Sequence, residues 1–165
     1  MRTHLSNAFV AVILAGGLLT SCTQSSSGPA TQPCTNNPVT ADSSALLAYA
    51  RSNGITPTAD PTGLYYQIVS PGTGPVLTAN SVVFVTYTGT LLNGTIFDST
   101  TNYARTGFPL GGLIGAWQIG LTKISAGGRI KLLVPSAMGY GCAGSPPAIP
   151  SNAPLFFDVT VVSAK

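Results

Sequence analysis

Residues 81–99 read SVVFVTYTGTLLNGTIFDS, two runs of β-forming residues flanking an Asn-Gly pair. Valine, threonine and aromatic side chains fill 81–92 and 96–99, the types that sit well on a pleated, half-buried surface. Asn93 and Gly94 both accept positive φ, which makes the pair a hairpin turn between antiparallel strands. The formal glycosylation sequon Asn93-Gly94-Thr95 is read as part of that turn. The chemistry-bearing feature of the stretch is Asp98, placed directly after Phe97 in a chain with four aspartates and no glutamate.

Outward from this hairpin, LYYQIVS (64–70), GRIKLLVPS (128–136) and PLFFDVTVVSA (154–164) read as further strands bounded by Gly and Pro. One helical pattern interrupts them. Ile114, Trp117, Leu121 and Ile124 recur at spacings of 3, 4 and 3, which puts all four on one helix face. The pattern predicts an α+β fold, a mostly antiparallel sheet packed on a single short helix. Upstream, ADSSALLAYARSNG (41–54) offers Asp42, Ser43 or Ser44 as N-cap and Gly54 as C-terminal stop. This helix is too short for a dimerisation arm, so it is expected to pack on the domain of a monomer.

With 165 residues, 44% apolar content, 19 glycines and 13 prolines, the chain fits one loop-rich domain plus extensions. The N-terminus supplies one extension. Arg2 gives a positive start, Ala8 to Leu19 an apolar run too short to be read as a membrane span, and Leu19-Thr20-Ser21-Cys22 a small-residue end. Residues 1–21 read as an export signal. The Leu-Thr-Ser-Cys pattern resembles the lipobox of bacterial lipoproteins, which implies a lipidated Cys22 holding the chain on a membrane; an ordinary secretory signal is the alternative. Several acyl chains, at about 0.8 kcal/mol per buried methylene, would make such an anchor lasting. Thr23 lacks the acidic character of an inner-membrane retention signal, which points to the outer membrane of a bacterial envelope. Residues 22–40, rich in Ser, Thr, Pro, Gln and Asn, read as the lipidated N-terminus and a tether. Residues 41–62 then form the short helix and connector, and 63–165 the main domain.

Removing 1–21 takes away Arg2 and the one histidine, His4. A histidine-free mature chain excludes Ser-His-Asp and Cys-His catalysis and histidine-bearing zinc sites. The remaining charges are scattered, without the basic stripe of a nucleic-acid binder. Gly72-Thr73-Gly74 lacks the strand-turn-helix continuation of a dinucleotide site, and no Walker lysine is present. Neither a metal nor a cofactor is expected. With Cys22 committed to lipid, Cys34 and Cys142 remain as a pair in an oxidising compartment, either bridged or free. A bridge closing so long a loop would stabilise by about 4 to 5 kcal/mol in the chain-entropy model.

Four separated segments, VFVTYTGTLLNGTIFDST (83–100), LIGAWQIGL (113–121), AMGYG (137–141) and AIPSNAPLFFDVTVV (148–162), resemble the FKBP-type peptidyl-prolyl cis-trans isomerases in order and spacing. The resemblance covers roughly residues 63–165. It implies a twisted antiparallel sheet wrapped around one short helix, with a pocket between them. Trp117 is then the pocket floor, with Tyr87, Phe97 and Phe157 as walls. Tyr140 and the Ile114 amide would face substrate carbonyls, and Leu113 and Ile149 would complete the lining. Arg105 would face Asp98, which accepts from Tyr87. The sequence departs from the family pattern at Thr86, Thr106, Ala116, Ile119 and Ala148. The implied partners are proline-containing polypeptides and the macrolides tacrolimus and rapamycin. Two functions fit: an isomerase assisting the folding of exported proteins, or a non-catalytic client-binding module on the same fold.

Overall fold

Alternation along the longest strands decides which way the sheet faces. In β7 (Leu155–Ala164) Leu155, Phe157, Val159 and Val161 are buried while the residues between them are half-exposed. Val83 and Val85 of β3 (Val82–Leu91) are buried in the same cluster, as are Ile130, Leu132 and Val134 of β6 (Arg129–Val134). With β1 (Thr58–Ala59), β2 (Tyr65–Ser70) and β4 (Ile96–Thr100), these strands run in the order β1-β2-β6-β7-β3-β4, with every pairing antiparallel. β5 (Phe108–Pro109) pairs with the start of β3. The computed structural model describes residues 33–102 and 107–165; the signal segment, Cys22 and Arg105 lie outside them.

Helix α2 (Gly115–Leu121) packs Ala116, Trp117 and Leu121 into the cluster formed by the apolar sheet face. It is shorter than the 114–124 periodicity implied. Ile114 is its N-cap, and Ile124 follows its end, donating its N–H to Leu121 O at 3.2 Å. Gly120 lets the helix approach the sheet, since a Cβ there would stand 2.5 Å from Leu132 Cδ2.

The opposite sheet face is covered by α1 (Ser43–Ser52), which buries Leu46 and Ala50 with Ile55 and Leu133. Tyr65, Leu133 and Phe156 are successive cross-strand partners and join this second cluster, and the Tyr49 ring lies 5.3 Å from that of Phe156. β6 is therefore buried from both sides, which is why Leu132-Leu133-Val134 shows no alternation.

Three sequence expectations are corrected. Asp42 occupies the N-cap position of α1 but makes no side-chain cap bond; its Oδ2 accepts from Ser136 N and Oγ, each at 2.7 Å. The β3–β4 turn is a three-residue loop rather than a two-residue one. Leu91 N donates to Thr95 O, only Gly94 has positive φ (+89°), and Asn93 Oδ1 accepts from Thr95 N. That combination is a type I turn closed by a left-handed glycine. Residues 33–40, expected as part of a tether, belong to the folded unit. Pro33–Lys165 is one compact unit, within which Cys34 and Cys142 are bridged with Cα atoms 5.6 Å apart and Asn36 and Asn37 bond to the β6–β7 connection. The helix of 41–62 packs on the domain, with Leu46, Ala50 and Ile55 in one cluster with Leu133.

Candidate active site

Between α2 and the sheet lies a pocket of about 180 Å³ lined by Tyr87, Phe108, Leu113, Ile114, Trp117, Tyr140 and Phe157. Trp117 comes from the first turn of α2 and is buried among edge-on rings. Its centroid stands 5.1 Å from Tyr87 and 5.4 Å from Phe157, with interplanar angles of 89° and 84°. Phe97 meets Phe157 edge-on at 5.5 Å. Such pairs add about 0.5 to 1.5 kcal/mol each beyond area burial and hold the rings in one arrangement.

The loop before α2 supplies the rest of the lining. Gln118 reaches back from the helix, its Nε2 donating to Leu113 O at 2.7 Å and Gly111 O at 3.2 Å, which fixes Leu113 and Ile114 at the rim. The Ile114 N–H has no partner among the described residues. Trp117 Nε1 is likewise buried without one.

Polarity is confined to one side. The Tyr87 hydroxyl donates to Asp98 Oδ2. Burial first, and then this bond and the Asp98 charge, push the Tyr87 phenol well above its ordinary range. Tyr140 is raised by burial and then by the charge of Asp98, yet remains 38% exposed at the rim. Both phenols are protonated at neutral pH and able to donate.

The structure thus brings Tyr87, Leu113, Ile114, Trp117, Tyr140 and Phe157 to one pocket. Phe97 and Asp98 support it from behind Phe157 and Tyr87 without lining it. Ile149 is buried in the adjoining core and held by paired bonds with Ser145, so it does not line the pocket. Arg105 lies outside the described residues. Two contributors were missed in the sequence. Phe108 is a wall, on a strand of two residues too short to show alternation. Gly89 makes room for the ring contact, because a Cβ there would stand 2.7 Å from Phe97 Cζ and 2.8 Å from Phe157 Cε1.

An antiparallel sheet wrapped on one short helix, with an aromatic pocket floored by the helix tryptophan, defines the class. The chain belongs to the FKBP-type peptidyl-prolyl cis-trans isomerase family, whose pattern matches residues 74–162. It is similar to the isomerase FkpA of Escherichia coli, 40% identical over 118 residues that cover 71% of this chain and 43% of FkpA. To the isomerase Mip of Coxiella burnetii it is 38% identical over 104 residues, covering 62% and 45% respectively. The chain spans less than half the length of these curated relatives. Among solved structures, a peptidyl-prolyl cis-trans isomerase of Pseudomonas syringae superposes with a TM-score of 0.65 at 28% identity, covering 79% of this chain and 98% of that one. The crystal structure of FkpA gives a TM-score of 0.65 at 36% identity, covering 75% and 59%.

Proposed function

We propose that this chain catalyses cis-trans isomerisation of X–Pro bonds in polypeptides by holding a twisted amide in the pocket over Trp117. The observation that carries the reading is the aromatic pocket itself, apolar at its floor and polar only where Tyr87, Tyr140 and the unpartnered Ile114 amide meet its rim. Rotation about a prolyl bond faces a barrier of roughly 18 to 20 kcal/mol from lost resonance. The ground states differ by only about 0.5 to 1 kcal/mol, so lowering the barrier is the whole task. A twisted amide has its nitrogen lone pair localised and its carbonyl less polarised, so water serves it less well than the planar form. A dry pocket favours it by comparison.

The roles follow from position. Trp117, Phe157, Tyr87 and Phe108 enclose the proline ring, with Leu113 and Ile114 at the rim. The Ile114 N–H and the Tyr140 hydroxyl donate to carbonyls flanking the proline. Asp98 fixes the Tyr87 hydroxyl, and Phe97 backs Phe157. No proton is exchanged with substrate. Each factor of ten in rate needs only about 1.4 kcal/mol, within reach of one or two such contacts.

A protease-free proline-isomerisation assay tests the reading, with Asp98→Ala and Tyr140→Phe beside the unaltered chain. Turnover well above background, reduced but not abolished by each change, is expected. Background rate with retained peptide binding would replace the enzyme by a client-binding module. Tacrolimus or rapamycin should compete for the pocket; a protein similar to this chain, 41% identical over 105 residues, is named FK506-binding protein 4 in Dictyostelium discoideum.

We infer further that the chain works in a bacterial envelope on exported, proline-containing clients, anchored by lipid on Cys22 and facing the periplasm or surface. The motif Leu19-Thr20-Ser21-Cys22 supports this. Metabolic labelling with a fatty acid, lost in Cys22→Ser, is the check.

A further inference from the structure

The β6–β7 connection carries Tyr140 to the pocket rim, with Ala143 and residues 145–148 exposed. Besides bonds within itself, such as the Ser145–Ile149 pair, it is tied to the segment that leads into α1. Asp42 Oδ2 accepts from Ser136 N and Oγ at 2.7 Å each, with Asp42 8% exposed and Ser136 fully buried. Ser136 O in turn accepts from Gly139 N at 3.0 Å and Gly141 N at 2.9 Å, the two residues flanking Tyr140. Asn36 Oδ1 accepts from Cys142 N at 2.7 Å, and Cys34 is bridged to the same Cys142. Asn37 N donates to Asn152 Oδ1 at 3.3 Å, and Asn152 N donates to Gly141 O at 2.8 Å.

These ties converge on the two sides of Tyr140. Gly141, at φ +57°, lies so close under Asn36 that a Cβ there would stand 2.3 Å from Asn36 Oδ1. A buried carboxylate is costly unless fully bonded. Asp42 sits where it could cap α1, yet leaves that helix end without a side-chain cap and bonds the turn before Tyr140 instead. The segment also precedes residues 74–162, which the family pattern matches. Its bonds are directed at one edge of the pocket.

We propose that Asp42 is a positioning residue for Tyr140, acting within a strap, Cys34–Asp42, that sets where the Tyr140 hydroxyl stands at the rim. The inference rests on the isomerase reading for its kinetic consequence and on the hydrogen bonds alone for its structural one. A hydroxyl misplaced by an ångström can cost orders of magnitude in a rate that depends on its donation.

The test uses the full chain and follows amide hydrogen exchange over 136–144 together with kcat and KM on a proline peptide. Asp42→Ala should speed exchange there and lower kcat/KM about tenfold, mostly through kcat. Asp42→Asn, which keeps an acceptor for both Ser136 donors, should recover most of it. Acting through Tyr140 makes the effects non-additive: Tyr140→Phe should cost little more in the Asp42→Ala background. Additive losses, or unchanged exchange over 136–144, would overturn the proposal. If Asp42→Ala does not fold, Asn36→Ala and the Cys34→Ser/Cys142→Ser pair enter the same cycle. If the unaltered chain proves inactive, the isomerase reading fails by itself. The cycle is then run on peptide affinity, where coupling between Asp42 and Tyr140 supports the strap and its absence refutes it.

Discussion

Asp98 meets the pocket through one hydrogen, the one that Tyr87 donates to it. An acid beside an aromatic wall suggests proton transfer, but prolyl isomerisation moves no proton that needs a shuttle. Asp98 instead fixes the direction of a phenol whose own proton is held tightly. Burial and the Asp98 bond raise Tyr87, burial and the Asp98 charge raise Tyr140, and so neither changes state near neutrality. The kcat/KM profile should therefore be flat between about pH 6 and pH 9, below even the ordinary tyrosine range. A titration step inside that window would show that a proton does take part. Tyr87→Phe keeps the ring and loses only the ordered hydroxyl. A loss of about 1 kcal/mol, roughly fivefold in kcat/KM, is expected from steady-state kinetics on that variant.

At the scale of elements, the position of α2 depends on Gly120, the point where it comes nearest β6. Two effects of Gly120→Ala oppose each other. Alanine gains about 0.8 to 1.0 kcal/mol of helix propensity. Against that, the new methyl would stand 2.5 Å from Leu132 Cδ2, and Leu132 is fully buried, so its side chain must shift within the packed core. Overpacking of this kind costs about 1 to 3 kcal/mol, so the net change should be destabilising and lower the urea midpoint. The long strands and the helices were legible in the sequence because their apolar residues have their own period, whereas Phe108, on a two-residue strand, was not. Asn93-Gly94 showed where the hairpin turns but not which turn it uses, since a glycine alone in the left-handed region suffices. Leu133 belongs to α1's face rather than α2's, a choice that only the packing of α1 makes. Cys34–Thr40 reads as tether because its side chains are short and polar. Yet Asn36 bonds 106 residues further on, and a partner at that distance leaves no local pattern.

The molecule as a whole carries few charges, and two ion pairs within it differ in setting. Arg129 and Asp158 pair across β6 and β7 at 2.7 Å with side chains 48% and 24% exposed, so solvent and salt screen them. Lys123 and Asp60 pair at 2.5 Å with exposures of 22% and 10%, joining the segment before β2 to the residues after α2. Thr62 adds two donors to Asp60, N at 2.9 Å and Oγ1 at 2.6 Å, and the Lys123 ammonium also stands 4.8 Å above the Tyr66 ring. The Lys123 bond first, and then those from Thr62, hold the Asp60 carboxyl at about 2, below its ordinary 3.8. A depressed carboxyl contributes stability that is fully present above the unfolded value and is lost as pH falls through the folded one. Stability should accordingly decline between about pH 4 and pH 2 as Asp60 takes up its proton. Asp60→Asn should be less stable than the unaltered chain at pH 6, and the gap should close as pH falls through about 2. Urea midpoints across that range decide it: a constant gap between the two proteins would mean that the Asp60 charge contributes nothing and that the segment is held by packing alone.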